Sequence, residues 1–173
     1  MKIDELQNAM VIGFKTPFPK LAACEAHAGR FNLKELDALS VKTPAVFVSY
    51  LGIKDVQESG DGRVDLVCQF AAYIVTTDQR GLKRDAAAKN MSEAVTVWLP
   101  NRRFGVQDVG VPQNLRVDNL YDGSVRGKAV ALAAVSWTQK VRVGESVFAG
   151  DGTVPTNVYA GSGENYEQVV GNE

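Results

Sequence analysis

The stretch PAVFVSYLGIKDVQESGDGRVDLVCQFAAYIVTTD, residues 44–78, decides how this chain folds. It contains two runs rich in Val, Ile, Phe and Tyr, separated by Gly60, Asp61 and Gly62. Glycine adopts positive φ without steric cost and aspartate accepts local N–H bonds, so these three residues predict a tight turn between antiparallel strands. The stretch is therefore predicted to form a β-hairpin.

The second run of the hairpin alternates in character, which predicts that its two faces differ. Apolar side chains stand at every second position: Val64, Leu66, Cys68 and Phe70. The positions between them are mixed: Asp65, Val67, Gln69 and Ala71. One face of the ribbon is clearly apolar and needs a cover.

Helices on either side of the hairpin can supply that cover. Apolar residues recur at helical spacing over residues 3–15, followed by two prolines that end the pattern. Residues 32–40 predict a second, shorter helix, and residues 81–99 a third that stops before Pro100. The apolar stripe of the third helix is expected to face the sheet: Ala87, Met91, Ala94, Val95 and Trp98.

Two further strands are predicted in NLRVDNLYD and KAVALAAVSWTQKVRVG, joined through Gly123, Ser124 and Gly127. The order of elements indicates an α+β fold: a single mixed domain over residues 1–143, with a mainly antiparallel sheet packed against two main helices. Residues 144–173 are a glycine-rich C-terminal extension. Its apolar residues predict an extended arm over 145–160 that packs along a sheet edge or on a neighbouring subunit, followed by a mobile end.

Composition narrows the classes of function. The 173 residues are 45% hydrophobic with a formal net charge of −1, which gives no basic excess of the kind that nucleic-acid binding needs. The N-terminal MKIDELQNAM lacks the positive and apolar regions of a secretory signal, so we expect a cytosolic protein with reduced thiols. A disulfide between Cys24 and Cys68 is the alternative, disfavoured because intracellular disulfides are rare.

No arrangement of residues predicts a reaction. The only histidine, His27, is interpreted as a loop residue, since a metal site would need further ligands at suitable spacing. A cysteine nucleophile would have to share that single imidazole, and the glycine clusters lack the lysine of a phosphate-binding loop. The sequence therefore predicts no catalytic, cofactor-binding or metal-binding residue, and a protein that is not an enzyme.

Two basic clusters stand out around the third helix. Arg80, Lys83 and Arg84 precede or begin it, where the helix dipole disfavours cations, and Arg102 and Arg103 follow its end. A solvated surface explains such charges in most proteins. The competing interpretation, which we carry forward, places all five residues at contacts with a partner.

The residues quoted so far also carry a resemblance. TPAVFVSYLGI, together with the N-terminal IDELQNAMVIGFKTPFP, the helix ending VTVWLP and the late VRGKAVALAAVSWTQKV, resembles the tail terminator (tail completion) proteins of long-tailed bacteriophages and their prophages, in the Mu-like branch. The resemblance covers residues 1–143. It lies in patterns of apolar and turn residues, so it transfers no set of functional positions.

The resemblance implies a structural virion protein. Such a protein assembles as a hexameric ring on the head-proximal end of the tail tube, ends tube polymerisation and presents a surface for joining the head. It implies contacts with copies of itself, the tail tube protein and a head-completion protein, and none with a membrane. DNA would pass through the ring without being read by sequence, and no cofactor is needed. The protein would be found in the host cytoplasm during assembly and in the virion tail afterwards.

Two other interpretations stay open at this point. A head-to-tail joining protein would be a neighbouring structural part, and a small ligand-binding or enzymatic α+β domain would belong to another class. A pocket with converging polar groups and a perturbed titratable residue would favour the last.

Overall fold

A computed structural model describes residues 1–31, 42–120, 130–149, 157–162 and 165–171, the last two ranges by their backbone. Its helices are α1 (Lys2–Lys15) and α2 (Arg84–Trp98), and its strands are β1 (Ala23–Ala28), β2 (Ala45–Glu58), β3 (Val64–Thr77), β4 (Gln113–Asn119), β5 (Val130–Val143), β6 (Asn157–Ser162) and β7 (Asn165–Gly171).

Strands β1 to β5 form one sheet in the order β1-β2-β3-β5-β4. The β1–β2 pair is parallel and the other three pairs are antiparallel, which confirms the α+β fold class with a mainly antiparallel sheet. The predicted hairpin is β2 and β3, closed by a hydrogen bond from the Ser59 N–H to the Arg63 carbonyl. We call the end of the sheet that holds this turn and Val143 the distal end, and the end that holds Thr77 and Val130 the proximal end.

Helix α1 forms where the sequence predicts it. Asp4 and Glu5 lie in its first turn and Lys15 in its last, which matches the helix dipole at both ends. Leu6, Met10 and Phe14 recur at intervals of four and are fully buried against the sheet. The helix ends one residue before Thr16, which precedes a proline and so disfavours a further helical turn.

Helix α2 is rotated by about one residue from the stripe that the sequence predicts. Its buried residues are Ala88, Ser92 and Val95, followed by Leu99 at the C-cap, whereas Ala94 is exposed. The polar Ser92 is tolerated in this line because its hydroxyl donates to the Ala88 carbonyl, 2.8 Å away. The prediction that Ala94 faces the sheet was therefore wrong. Ser92 was left out of the predicted stripe because it is polar, but its hydroxyl has a hydrogen-bond partner within the helix.

Both faces of the sheet carry apolar clusters. On the helix-covered face, Cys68 and Phe70 of β3 pack in one core with Val95 of α2, as predicted. The opposite face was expected to be mixed, yet at its proximal end Phe47 and Tyr73 are buried with Phe31. Phe31 stacks on Phe47 at 5.0 Å between ring centroids. The chain preceding β2 therefore gives the second face an apolar cover.

Two local predictions need correction. His27 was interpreted as a loop residue but lies in β1, with its ring 4.9 Å from that of Phe31. The extension was expected to run as an arm along a sheet edge or on a neighbouring subunit and to end in a mobile tail. In the described part, β6 and β7 instead pair with each other as a two-stranded sheet. Packing on a neighbouring subunit stays a prediction. Residues 145–149 contact the turn of the β2–β3 hairpin, where the Val147 N–H donates to the Asp61 carbonyl.

Some predictions fall outside the described residues. They are the short helix over 32–40 and the connection through Gly123, Ser124 and Gly127. The proposed division at residue 143 stays a prediction, although β5 ends at that residue.

Candidate assembly interface

The distal half of β2 forms one open edge of the sheet. Strand β1 pairs with β2 only as far as Tyr50, so residues 51–58 have a described partner on the β3 side alone. Ile53 and Val56 point to the helix-covered face and are 44% and 58% exposed. Irregular pairing at Lys54 bends the strand there, a feature common at sheet edges.

Strand β4 forms an open edge at the other side of the sheet; on the β2 side, β1 is the terminal strand and likewise has no outer partner in the described part. Among the described residues, β4 pairs with β5 and with no other strand. Val117 is 47% exposed on the helix-covered face, and Arg116 points to the opposite face. The edges of β2 and β4 therefore differ in sequence and lie on opposite sides of one sheet.

An apolar groove runs along β4. Helix α2 covers β3 and β5 but leaves β4 open, so a groove of about 400 Å³ remains between the helix and the edge strand. Ala131 and Ala133 of β5 form its floor, while Val97, 77% exposed, and Val117 form its walls. The small floor residues give the groove its depth. Monomeric proteins rarely expose large contiguous apolar patches, and such patches often mark interaction sites.

The first basic cluster lies at the proximal end. Arg80 occupies the turn between β3 and α2, and Lys83 is the N-cap of α2; both are exposed. Arg84 is half-buried, its backbone N–H donates to Asp78 Oδ1 at 2.9 Å, and its guanidinium lies 3.8 Å from the same carboxylate. Asp78 thus offsets the positive end of the helix, and Arg84 has an internal partner.

The second basic cluster lies at the other end of α2. The guanidinium of Arg102 stacks over the Trp98 ring at 5.3 Å, and its Nε donates to the Trp98 carbonyl at 3.2 Å. Arg103 is exposed beside it. The fifteen residues of α2 separate the two clusters by about 22 Å, at about 1.5 Å per residue, so the five candidate residues form two surfaces rather than one.

A buried glutamine holds the loop that carries Arg102 and Arg103. Gln139 of β5 donates from Nε2 to the carbonyls of Arg102 and Gly110, at 3.0 and 2.8 Å, and accepts from Trp137 Nε1. Gln139 is almost fully buried, and both its side-chain oxygen and its side-chain nitrogen have hydrogen-bond partners. The loop is therefore fixed to the sheet by a polar anchor.

Aromatic packing fixes the same loop from the helix side. Phe104 has a φ of 55°, a left-handed backbone that is rare for a bulky residue. Its ring lies 6.0 Å from that of Trp98 and against Gly13, where an added Cβ would come within 2.9 Å of the ring. Trp98, predicted to lie on the sheet, instead packs among the rings of Phe14, Phe18 and Phe104. It remains half-buried, at the edge of the core.

Ion pairs tie the distal end together. Arg142 donates from Nε and Nη2 to the two carboxylate oxygens of Asp65, at 2.6 and 3.0 Å, and this holds the pKa of Asp65 below its usual value. Hydrogen bonds from Arg63 likewise lower the pKa of Asp61, and one from Lys2 lowers that of Asp108. Each shift has a structural cause in an ion pair.

Metal binding and thiol reactivity can be assessed within the described residues. Within them, no three His, Cys, Asp or Glu side chains converge as a metal site would require. Cys24 and Cys68 are free, and burial raises the pKa of both thiols to about 11, which keeps them protonated at neutral pH. These cysteines are packing residues.

Sequence reasoning found both basic clusters but missed the open edges and the groove. The signal at β2 was available: after Tyr50 the apolar run gives way to GIKDVQE, with charges and a glycine of the kind that protect edge strands. The groove had no such signal, because it depends on how far α2 reaches across the sheet.

Comparison with known proteins places the chain. Neither helix of the described part is long and apolar enough to cross a membrane. No curated protein matches the chain. A protein family described as Bacteriophage Mu, Gp37 matches residues 2–141, which include both helices and all but the last residues of the five-stranded sheet. The chain therefore belongs to the Bacteriophage Mu, Gp37 family, which is consistent with the Mu-like, tail-related structural protein that its sequence resembles.

Proposed function

We propose that this protein is a tail terminator, which caps the phage tail tube as an oligomeric ring, ends tube polymerisation and provides the surface that joins the head. The observation that carries the proposal is the pair of unlike open edges on one sheet, residues 51–58 of β2 and strand β4. Membership of a Mu phage family supplies the biological setting.

Unlike edges favour a ring over a dimer. Pairing two identical edges satisfies both copies at once and gives a twofold dimer, which leaves the other edges exposed. Pairing β2 of one copy with β4 of the next leaves one edge of each kind free, so addition continues until the ring closes. Closure also covers these two edges, which would otherwise invite aggregation.

The basic clusters fit contacts outside the sheet. Arg80 and Lys83 lie exposed at the proximal end, and Arg102 and Arg103 lie exposed at the far end of α2. In the proposed ring these surfaces meet neighbouring subunits or the tail tube protein, while Arg84 orders the start of α2 through Asp78. A head-completion protein is the remaining partner.

Assembly of this kind requires no reaction and no cofactor. The work of the protein is to present surfaces in a fixed arrangement, first in the host cytoplasm and then in the virion tail. DNA passes through the opening of the ring without sequence-specific contacts, which suits a chain with a net charge of −1.

Tube length tests the proposed function. Purified tail tube protein is polymerised with and without this protein, and tube lengths and ends are measured by electron microscopy. We expect shorter tubes with a ring of density at one end. Tubes of unchanged length with bare ends would overturn the proposal.

A further inference from the structure

We infer that the groove between α2 and β4 is the docking site for the distal half of β2 from a second copy of this chain. Ile53 of that copy lies beside Val117 at the open side of the groove, and Val56 extends the apolar contact along β4 to Leu115. The inference rests on the proposed ring and adds to it the residues, register and seat of the subunit contact.

The apolar residues of the two edges lie on the same face of the sheet. Ile53 and Val56 pair with Cys68 and Leu66, which belong to the helix-covered face. Val117 pairs with Val135 of that same face. A strand added beyond β4, about 4.8 Å away, therefore places its Ile53 and Val56 on the face of the sheet that holds the groove rather than on the opposite face.

Side-chain character selects one antiparallel register. With Asp55 opposite Arg116, Val56 lies opposite Leu115, and the irregular pairing at Lys54 brings Ile53 opposite Val117. Apolar residues then meet on the helix-covered face, and a carboxylate meets a guanidinium on the other. Cross-strand pairs of both kinds stabilise antiparallel sheets.

The two charged residues have atoms free for this contact. Arg116 is exposed and donates only from Nε to Asp118, at 2.8 Å, within the described part of the chain. Asp55 is exposed and accepts bonds from its own strand, from the Val56 N–H and the Gln57 side chain. Because an exposed carboxylate accepts several bonds, an arginine of a second copy fits beside these donors.

The register also agrees with closure into a ring. Asp55 is opposite Val67, which is opposite Lys140 of β5, whereas Arg116 is opposite Ser136 of β5. Each new copy is therefore displaced by four residues (140 − 136 = 4) across the four strands β2, β3, β5 and β4. This is a stagger of one residue per strand. In closed barrels with that stagger, the strands tilt by about 36° from the barrel axis, which is an ordinary value for a closed sheet.

Disulfide trapping tests the contact. The double variant Ile53→Cys, Val117→Cys places one new thiol on each edge, and native Cys24 and Cys68 are buried. After mild oxidation in the presence of tail tubes, we expect a covalent ladder that ends at the size of the ring on a non-reducing gel. The matched control is Ile53→Cys, Ile12→Cys, which moves the second thiol to an exposed apolar position on α1 and is expected to give no ladder.

Charge reversal provides the second measurement. Asp55→Arg or Arg116→Asp alone should weaken subunit association about ten-fold or more, and the two together should restore most of it. The mass of the assembly on tail tubes is recorded for every variant. A ring that forms without cross-linking, and is unchanged by both reversals, overturns this contact while the proposed function stands. Absence of any ring from wild-type protein overturns both.

Discussion

The two halves of β2 differ both in sequence and in surroundings: residues 45–50 are AVFVSY, whereas residues 51–58 are LGIKDVQE. Residues 45–50 pair with strands on both sides, and 45–49 are buried, whereas residues 51–58 pair on one side, and 53–58 are exposed. The boundary falls where β1 ends, at the pair of Ala28 and Tyr50. One strand therefore serves the core with its first half and is free to serve assembly with its second.

The largest effect should come from truncating the buried half. Phe47→Ala removes a ring that packs against Phe31 and Tyr73, and should cost about 3 to 5 kcal/mol in the free energy of unfolding. Val56→Ala in the exposed half should change it by less than about 0.5 kcal/mol. Urea unfolding followed by circular dichroism measures both; equal losses would remove the distinction between the halves.

The next effect concerns the anchor of the Arg102 loop. Gln139→Met keeps the volume but removes the hydrogen-bond partner of the Arg102 and Gly110 carbonyls, which are partly buried, and of the buried Trp137 N–H. The variant should lose about 2 to 4 kcal/mol, because each buried polar group left unpaired costs about 1 to 3 kcal/mol. Thr138→Val, on the same strand but half-buried, is the control and should lose less. Similar stability in both variants would contradict the claim that Gln139 holds the Arg102 loop to the sheet.

Acid should weaken the distal end selectively. The bond from Arg142 lowers the pKa of Asp65 in the folded protein, so its stabilisation is complete above the unfolded pKa of about 4 and is lost as pH falls through the folded value. Hydrogen exchange below pH 4 should therefore rise more for residues 51–58 than for 45–50, after correction for the intrinsic rate. Asp65→Asn should flatten this difference. Equal acid response of the two halves would count against the account.

The smallest change in stability is expected at the second basic cluster. Arg102→Glu, Arg103→Glu alters exposed charges, so unfolding should shift by less than about 0.5 kcal/mol. Assembly with tail tubes should weaken, and the defect should vary with salt, because exposed charges are screened over about 8 to 10 Å at physiological ionic strength. The double variant therefore tests whether the assembly surface extends beyond β2 and β4. Normal assembly at every salt concentration would restrict that surface to the edges.

Local pattern predicted most of the fold. The turn at Gly60–Gly62, helix α1 and the long strand β5 follow from short-range signals, since alternation, dipole charges and turn residues act within a few positions. The stripe of α2 was misplaced because a buried serine satisfies itself along the helix. Sequence periodicity ranks positions by their apolar character and takes no account of a hydrogen bond within the helix.

The candidate site was less predictable because it depends on where elements end relative to one another. The charges and glycine of GIKDVQE are typical of an edge strand, but they do not show that β1 stops six residues into β2. The sequence of α2 does not show that the helix leaves β4 uncovered. The β6–β7 pair is a similar case, because glycine-rich segments with scattered apolar residues give no sustained period. Long-range placement, rather than local propensity, creates the open edges.

The mass of the assembly is the most direct test of whether this protein forms a closed ring on the tail tube. Light scattering or native mass spectrometry is applied to the protein alone and after addition of purified tail tube ends. We expect one closed species in the presence of tubes, with a mass that is a fixed multiple of the subunit mass. A protein that stays monomeric beside tube ends, or that forms only a twofold dimer, would contradict the closed ring.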